Sequence, residues 1–259
     1  MNELLREIED HRCAISETAI WSLGGAGCVI KSADSIVYVD PFLNYPPPTR
    51  PFHRAFPPPF PPEEIRKAEA ILSTHEHRDH CDERTVNAFR TNTKAKFIGP
   101  RSSTTNARAW GFEKERLATL QPGQNIRVTS EIGVMAFDSS DPYAESALTY
   151  LIRTPRGNIF HSGDTNYFSG FQKVSESHKV TVAFLNFGKQ IPSPGKSYYM
   201  NAEGVAKAAR DLKASIVVPM HWDLWIEARD DPRTIEGPLR SISPNSRLLV
   251  LDAGQKLDL

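Results

Sequence analysis

The chain has 259 residues, with 31 Lys plus Arg against 31 Asp plus Glu, a hydrophobic fraction of 39% and 24% charged residues. This composition suits a folded globular protein, and a net charge of zero supplies no field favouring nucleic acid or an anionic membrane. No apolar run approaches the length of a membrane span, the start MNELLREIEDHR is charged rather than signal-like, and Cys13, Cys28 and Cys81 are scattered and odd in number, so a cytoplasmic protein without a disulfide framework is expected.

Residues 2–12 read as a short charged helix. From Ala19 the pattern changes to strands: AIWSL, then GCVIKS after the Gly24-Gly25-Ala26-Gly27 turn, then SIVYVDPF after Ala33-Asp34. The glycine cluster lies between two strands with no helix after it, so it is a tight turn and not a phosphate cradle. Asp40 closes its strand just before Pro41, where a carboxylate is placed to orient a metal-bound histidine from outside the ligand set.

Between Pro41 and Pro62 lie ten of the chain's twenty prolines. Such a segment is stiff and poor in ladder donors, so residues 41–62 are expected as a long loop, serving as a lid or as a contact between copies in a homo-oligomer. Tyr45, Phe52, Phe56 and Phe60, with Arg50, His53 and Arg54, would give it both apolar and anion-binding surface. EEIRKA then reads as a short helix and AILST as a buried strand.

That strand delivers the densest chemistry in the chain, ILSTHEHRDHCD over residues 71–82, which spends three of eight histidines within six residues. His75 and His77, two apart on extended chain, point to the same side and can share one divalent ion. Asp79 and His80 follow as the chain turns toward a helix that Asp82 can cap, which carries them toward a second ion. Cys81 reads as a small buried residue beside the cluster.

Strands and helices alternate from there: helix DERTVNAFR, strand KFIGP, helix SSTTNARAWG ending at Trp110-Gly111, and strands around ATL, NIRVT and IGVMAF. The pair ALTYLIRT and NIFHSGD turns at Pro155-Arg156-Gly157. Strand VTVAFLNF, helix NAEGVAKAARDLK, strand SIVVPMHWD, a helix from about Pro232 to Ser241 and a last strand LLVLD complete the chain. The order recurs in both halves, which predicts one α/β domain over residues 1–259 with two sheets face to face and helices outside. Asp164 in the Ser-Gly-Asp turn and His221 in Pro-Met-His-Trp also end apolar strands, and sheet geometry can gather such ends along one edge.

These residues resemble the metallo-β-lactamase superfamily, whose hallmark is H-x-H-x-D-H followed by a distant Asp in a Gly-Asp turn and a C-terminal strand-end His. The likeness is nearest to the L-ascorbate-6-phosphate lactonase-like branch. It is carried by WSLGGAGCVIKS, VYVDPF, STHEHRDH, FIGP, the W-G-F-x-K-E-R segment, TYLIRTPRGNIFHSGDTNYFS and VVPMHWDLW, from about Thr18 to Trp225. The resemblance implies a four-layer αββα sandwich, a cytoplasmic location, and one or two divalent ions held by His75, His77, Asp79, His80, Asp164 and His221. It implies hydrolysis of a lactone in a phosphorylated sugar acid, with manganese suggested by the lactonases and zinc by the wider superfamily. Residues 81–160 contain no histidine, so a ligand that many members place there falls to Asp138 or Asp141, with Asp141 preferred. The proline-rich loop and GKQIPSPGKSYYM look different from the lactonases, and both are expected to shape the substrate pocket.

A divalent ion lowers the pKa of its water from 15.7 to about 7 and polarises a carbonyl. The expected function is therefore hydrolysis of a small anionic lactone or ester, with Asp164 and Asp79 as the catalytic carboxylates. Arg50 and Arg54 of the loop, with Lys189 and Lys196, are expected to hold the anion. A phosphodiesterase or nuclease is the alternative within enzymes, and a non-catalytic metal-binding protein the alternative outside them. The first would want a basic track, and Arg101, Arg108, Lys114 and Arg116 are too diffuse to form one.

Overall fold

The computed structural model describes residues 1–14, 17–45, 52–189 and 199–259. Helix α1 (Glu3–Asp10) starts where the Asn2 side chain accepts from the Leu4 and Leu5 amides. Its far end is held by buried Lys31, whose Nζ donates to the carbonyls of Ile8 (2.8 Å) and Glu9 (3.0 Å), a favourable use of a cation at a helix C-terminus.

The first half of the chain supplies β1 (Thr18–Gly24), β2 (Gly27–Ser32), β3 (Ser35–Val39), β4 (Ala70–Leu72), β5 (Lys96–Gly99) and β6 (Leu117–Thr119). The first three pair antiparallel and the rest follow in parallel, with α2 (Glu83–Asn92) and α3 (Arg101–Ala109) in the crossovers. The second half repeats the plan with β7 (Asn125–Arg127), β8 (Gly133–Asp138), β9 (Leu148–Thr154), β10 (Gly157–His161), β11 (Val180–Asn186), β12 (Ile216–Met220) and β13 (Arg247–Leu248). Here β7 to β10 are antiparallel and β10 to β13 parallel, with α4 (Gly170–Ser177), α5 (Ala202–Leu212) and α6 (Glu236–Ile242) between them.

Strand periodicity divides the core. Ile20, Cys28, Ile30, Val37 and Val39 face the second sheet, while Ala19, Trp21, Val29, Ile36 and Tyr38 face the outer helices. The second sheet does the same, with Tyr150, Ile152, Val182 and Val218 inward and Leu151, Phe160, Ala183 and Val217 against α4, α5 and α6. Both faces of each sheet are buried, which is why the strands read as near-continuous apolar runs. The layers are helix, sheet, sheet, helix: the αββα sandwich.

Three elements differ from the sequence reading. EEIRKA is not a helix: a single 3-10 turn, Pro62–Glu64, is followed by extended chain because the amides of Arg66 and Lys67 donate to the Glu9 carboxylate (2.7 and 3.0 Å) instead of to carbonyls four residues back. Helix α4 was not anticipated; it is short and declares itself only by Phe171 and Val174 on its buried face. LLVLD contributes only Leu248 to a strand, and the chain instead ends on β14 (Lys256–Asp258), which crosses back to pair antiparallel with β1.

The described part of the proline-rich loop is laced to the segment after β12. Ala55 donates its amide to Leu224 O (2.8 Å), Arg54 and Trp225 form an isolated bridge, and Phe60 is buried in the outer core. Phe56 lies against Gly24, where a Cβ would come within 2.4 Å of the ring. Cys13, Cys28 and Cys81 are free thiols. Among the described residues no helix is long and apolar enough to cross a membrane.

Candidate metal centre

Four strand ends converge on one edge of the sandwich. From the first sheet come Asp40 after β3 and residues 73–82 after β4; from the second come His161 to Asp164 at the end of β10 and His221 after β12. The β8 to β9 connection adds Asp141. The glycine turn at residues 24–27 anchors the second sheet's contribution: His161 Nε2 lies 2.8 Å from Ala26 O and the His221 amide donates to Gly25 O at 2.9 Å. Asp40 (φ 44°) and His221 (φ 70°) both take left-handed backbone, a conformation that costs energy for residues with a Cβ and is concentrated at functional sites. Gly163 needs its own missing Cβ, because φ is +54° and the added atom would meet Thr74 at 2.7 Å.

Two donor sets result. His75, His77 and Asp141 form one, with His75 Nε2 2.9 Å from His77 Nδ1 and 3.7 Å from Asp141 Oδ2. Asp79, His80 and His221 form the other, with His221 Nε2 3.0 Å from Asp79 Oδ2 and 3.3 Å from His80 Nε2. Asp164 lies between them: it groups with His75 and His80, at 3.5 Å from His80 Nε2, and reaches His221 Nε2 at 3.7 Å.

Surrounding groups fix these side chains. Asp40 Oδ2 lies 2.8 Å from His80 Nδ1, which turns Nε2 inward, and Asp40 accepts from the Thr74 amide (2.8 Å) and hydroxyl (2.6 Å). Trp225 Nε1 donates to Asp79 Oδ2 at 3.1 Å. Glu76 accepts from the Glu145 amide and from Ser102 Oγ (2.7 Å), tying the Asp141 loop to the histidine motif.

The electrostatics suit cation binding. Burial pushes the His75 imidazole down to about 3, so its ring nitrogens stay neutral. Burial alone would raise Asp164, but the neighbouring His221, His80 and His75 outweigh it and hold the carboxyl at about 2. Asp141 Oδ2 and Asp164 Oδ1 are buried without a hydrogen-bond partner, a costly state that a divalent ion relieves. Imidazole nitrogens and carboxylate oxygens within 4.8 Å of one another are the donor chemistry of first-row divalent metals, and the residues fit a pair of such ions.

The structure brings together His75, His77, Asp79, His80, Asp141, Asp164 and His221, with Asp40 behind His80. Of the two aspartates considered for the missing histidine, Asp141 reaches the cluster, while Asp138 ends β8 with an exposed side chain. The expected anion contacts fare differently. Arg54 is buried, with Nε donating to Phe56 O and Nη1 to Phe42 O and Asn44 O, so these two nitrogens staple the loop. Lys189 is exposed and joins the fold through its amide to Ala228 O. Arg50 and Lys196 lie outside the described residues.

Sequence reasoning missed Glu76, Thr74, His161 and Trp225. Glu76 sits inside the H-x-H motif, yet nothing in the pattern foretells its partner 69 residues away. Replacing Glu76 by Ala is expected to weaken ion binding about 10-fold, as for other groups that support metal ligands, and Glu76→Gln to cost less because it can still accept. Competition against a chromophoric chelator measures both; unchanged affinity in Glu76→Ala would remove Glu76 from the support of Asp141.

This fold and donor cluster define a metallo-β-lactamase-type protein, and residues 36–222 match the Beta-lactamase superfamily domain. The chain belongs to that superfamily. It is 30% identical over 195 residues to a probable L-ascorbate-6-phosphate lactonase from Salmonella heidelberg, a match covering 67% of this chain and 54% of that protein. The chain thus spans about half the length of the curated relatives it matches. Among solved structures it resembles a possible metal-dependent hydrolase from Veillonella parvula (TM-score 0.75, 15% identity, covering 94% of this chain and 99% of that one). A metallo hydrolase from Ignicoccus hospitalis is also similar (TM-score 0.73, 19% identity, covering 94% and 98%). At these identities the two structures speak for the fold alone.

Proposed function

We propose that the protein is a metal-dependent hydrolase of a small ester or lactone. The observation that carries this reading is the convergence of seven donor side chains from both sheets, with the buried Asp141 Oδ2 and Asp164 Oδ1 left without hydrogen-bond partners. Divalent ions at these residues would supply Lewis acidity at the scissile carbonyl and a water ionised near neutral pH. His75, His77 and Asp141 would hold one ion, and Asp79, His80 and His221 the other. Each set places one carboxylate beside two imidazoles, a donor combination that accommodates zinc or manganese.

The chain's own groups then divide the work. Asp164, between the two sets, would accept a hydrogen bond from the attacking water and aim it, and the proton that the water loses would pass on to the leaving oxygen. Asp79 is held by Trp225 and His221, so its orientation is fixed before substrate arrives. Water adds to the carbonyl carbon, the carbon–oxygen bond to the leaving alcohol breaks, and the released oxygen takes up a proton. Similarity to a probable lactonase from Salmonella supports the ester or lactone class, and a small molecule in the cytoplasm is the partner we propose.

The test is elemental analysis of protein never exposed to chelator, followed by turnover on lactones, simple esters, a phosphodiester and single-stranded RNA. Bound zinc or manganese with ester or lactone turnover supports the reading. RNA or phosphodiester cleavage without it would replace the reading by a phosphodiesterase. Bound metal with no turnover of any of the four would point to a non-catalytic metal protein.

A further inference from the structure

Above the donor cluster lies a cavity of about 310 Å³ whose base is formed by His77, Asp79 and Asp164 and whose walls include Phe52, Tyr199 and Trp225. The rings are organised. Trp225 is fixed through its indole N–H to Asp79 Oδ2 (3.1 Å), Phe52 packs beside it at 5.8 Å between centroids, and Tyr199 sits 5.0 Å from the His221 ring. Arg78 is the one Lys or Arg among the described residues lining this cavity; its side chain is 52% exposed and lies 3.7 Å from Asp82, which offsets its charge. Arg54 does not line the cavity and directs Nε and Nη1 to backbone carbonyls.

We infer that this cavity selects a substrate carrying an aromatic or compact apolar ring next to the scissile carbonyl. The inference rests on the hydrolase reading above and narrows it. Aromatic walls gain from covering apolar surface and from offset or edge-on ring contacts. Among the described residues lining the cavity, a phosphate would find only the Arg78 guanidinium as a partner, and Asp82 partly offsets its charge. The described walls thus offer more to an apolar ring than to a sugar phosphate such as that in the name of the Salmonella relative. Trp225 has a double part, since the residue that walls the cavity also orients Asp79, so ring binding and carboxylate placement are coupled through one side chain.

The test uses metal-replete full-length protein and two readouts. By calorimetry, phenylacetate, the acid released from an ester of phenylacetic acid, is expected to bind ~10-fold or more tightly than acetate or 6-phosphogluconate, from burial of one ring. Phe52→Ala should reduce that preference to about 3-fold or less, and Phe52→Leu should keep most of it, because apolar bulk remains. In turnover, ethyl phenylacetate, which has the same leaving alcohol as ethyl acetate, should exceed it in kcat/KM by ~10-fold or more, on the same estimate of ring burial. Equal binding of phenylacetate and acetate, or tighter binding of phosphogluconate, overturns the inference while leaving the hydrolase reading in place. Retained phenylacetate preference with no lactone or ester turnover supports the cavity and overturns the hydrolase reading instead.

Discussion

Replacing Asp164 by Ala is expected to lower kcat/KM by about 1,000-fold, equivalent to roughly 4 kcal/mol of transition-state stabilisation, while Cys81→Ala lowers it less than about 3-fold, within 1 kcal/mol. The two residues make a sharp comparison because both are buried near the histidine motif, Asp164 at 7% exposure and Cys81 at 3%. Asp164 sits between both donor sets and has a buried oxygen without a hydrogen-bond partner, so under the proposed function its removal would disturb ions held in either set. Cys81 lies in the outer apolar core, where burial pushes its thiol up to about 12 and leaves it neutral and unreactive. Steady-state kinetics on one active ester decide the matter. Equal losses would mean that Asp164 only packs, and would remove it from the chemistry.

Stripping the metal is expected to lower Tm by about 5–10 °C, from a linkage stabilisation of roughly 2.7 kcal/mol at an ion concentration of 100 Kd and ~2–4 °C per kcal/mol for a chain of this length. Without ions, Asp79 and Asp164 stay ionised because His80 and His221, both raised above their ordinary range by the carboxylates that outweigh burial, supply the balancing charge. The apo cluster is thereby tolerable, and the fold should survive at a lower melting temperature. Asp141→Ala should retain part of the metal-dependent gain, since Asp79, His80 and His221 remain complete. Thermal melts with chelator, then with zinc or manganese restored, measure each term. A melting temperature indifferent to added metal in both forms would refute binding at this cluster.

Much of the site was legible because its chemistry is local. His75 to His80 fall within six residues, and a strand that ends in alternating ligands must present some of them to one side. Asp40 was legible as a strand-end carboxylate, and Asp82 as a helix cap, which its bond to the Thr85 amide at 2.9 Å realises. The short apolar runs of β1 to β3 and β8 to β10, bounded by turn residues, and the repeat of strands then helices, carried the layered architecture.

Other features depend on where distant segments land. EEIRKA has helical composition, but Glu9 from α1 takes the amides of Arg66 and Lys67. Arg54 has the charge of an anion contact, yet the loop folds back so that its donors meet three carbonyls. Choosing Asp141 over Asp138 required Glu76 to pin the loop at Glu145, and Trp225 reaches Asp79 across 146 positions of sequence.

The sequence by itself determined the donor residue types and the order of strands and helices, and its motifs carried the likeness to the superfamily, because ligand spacing and short apolar runs bounded by turns are short-range properties. Only the tertiary structure decided which aspartate completes the first donor set, which cation is spent on the backbone and which aromatic rings wall the cavity. Those outcomes depend on hydrogen bonds and ring contacts between segments far apart in the chain, and a side chain's type does not record which partner it will meet.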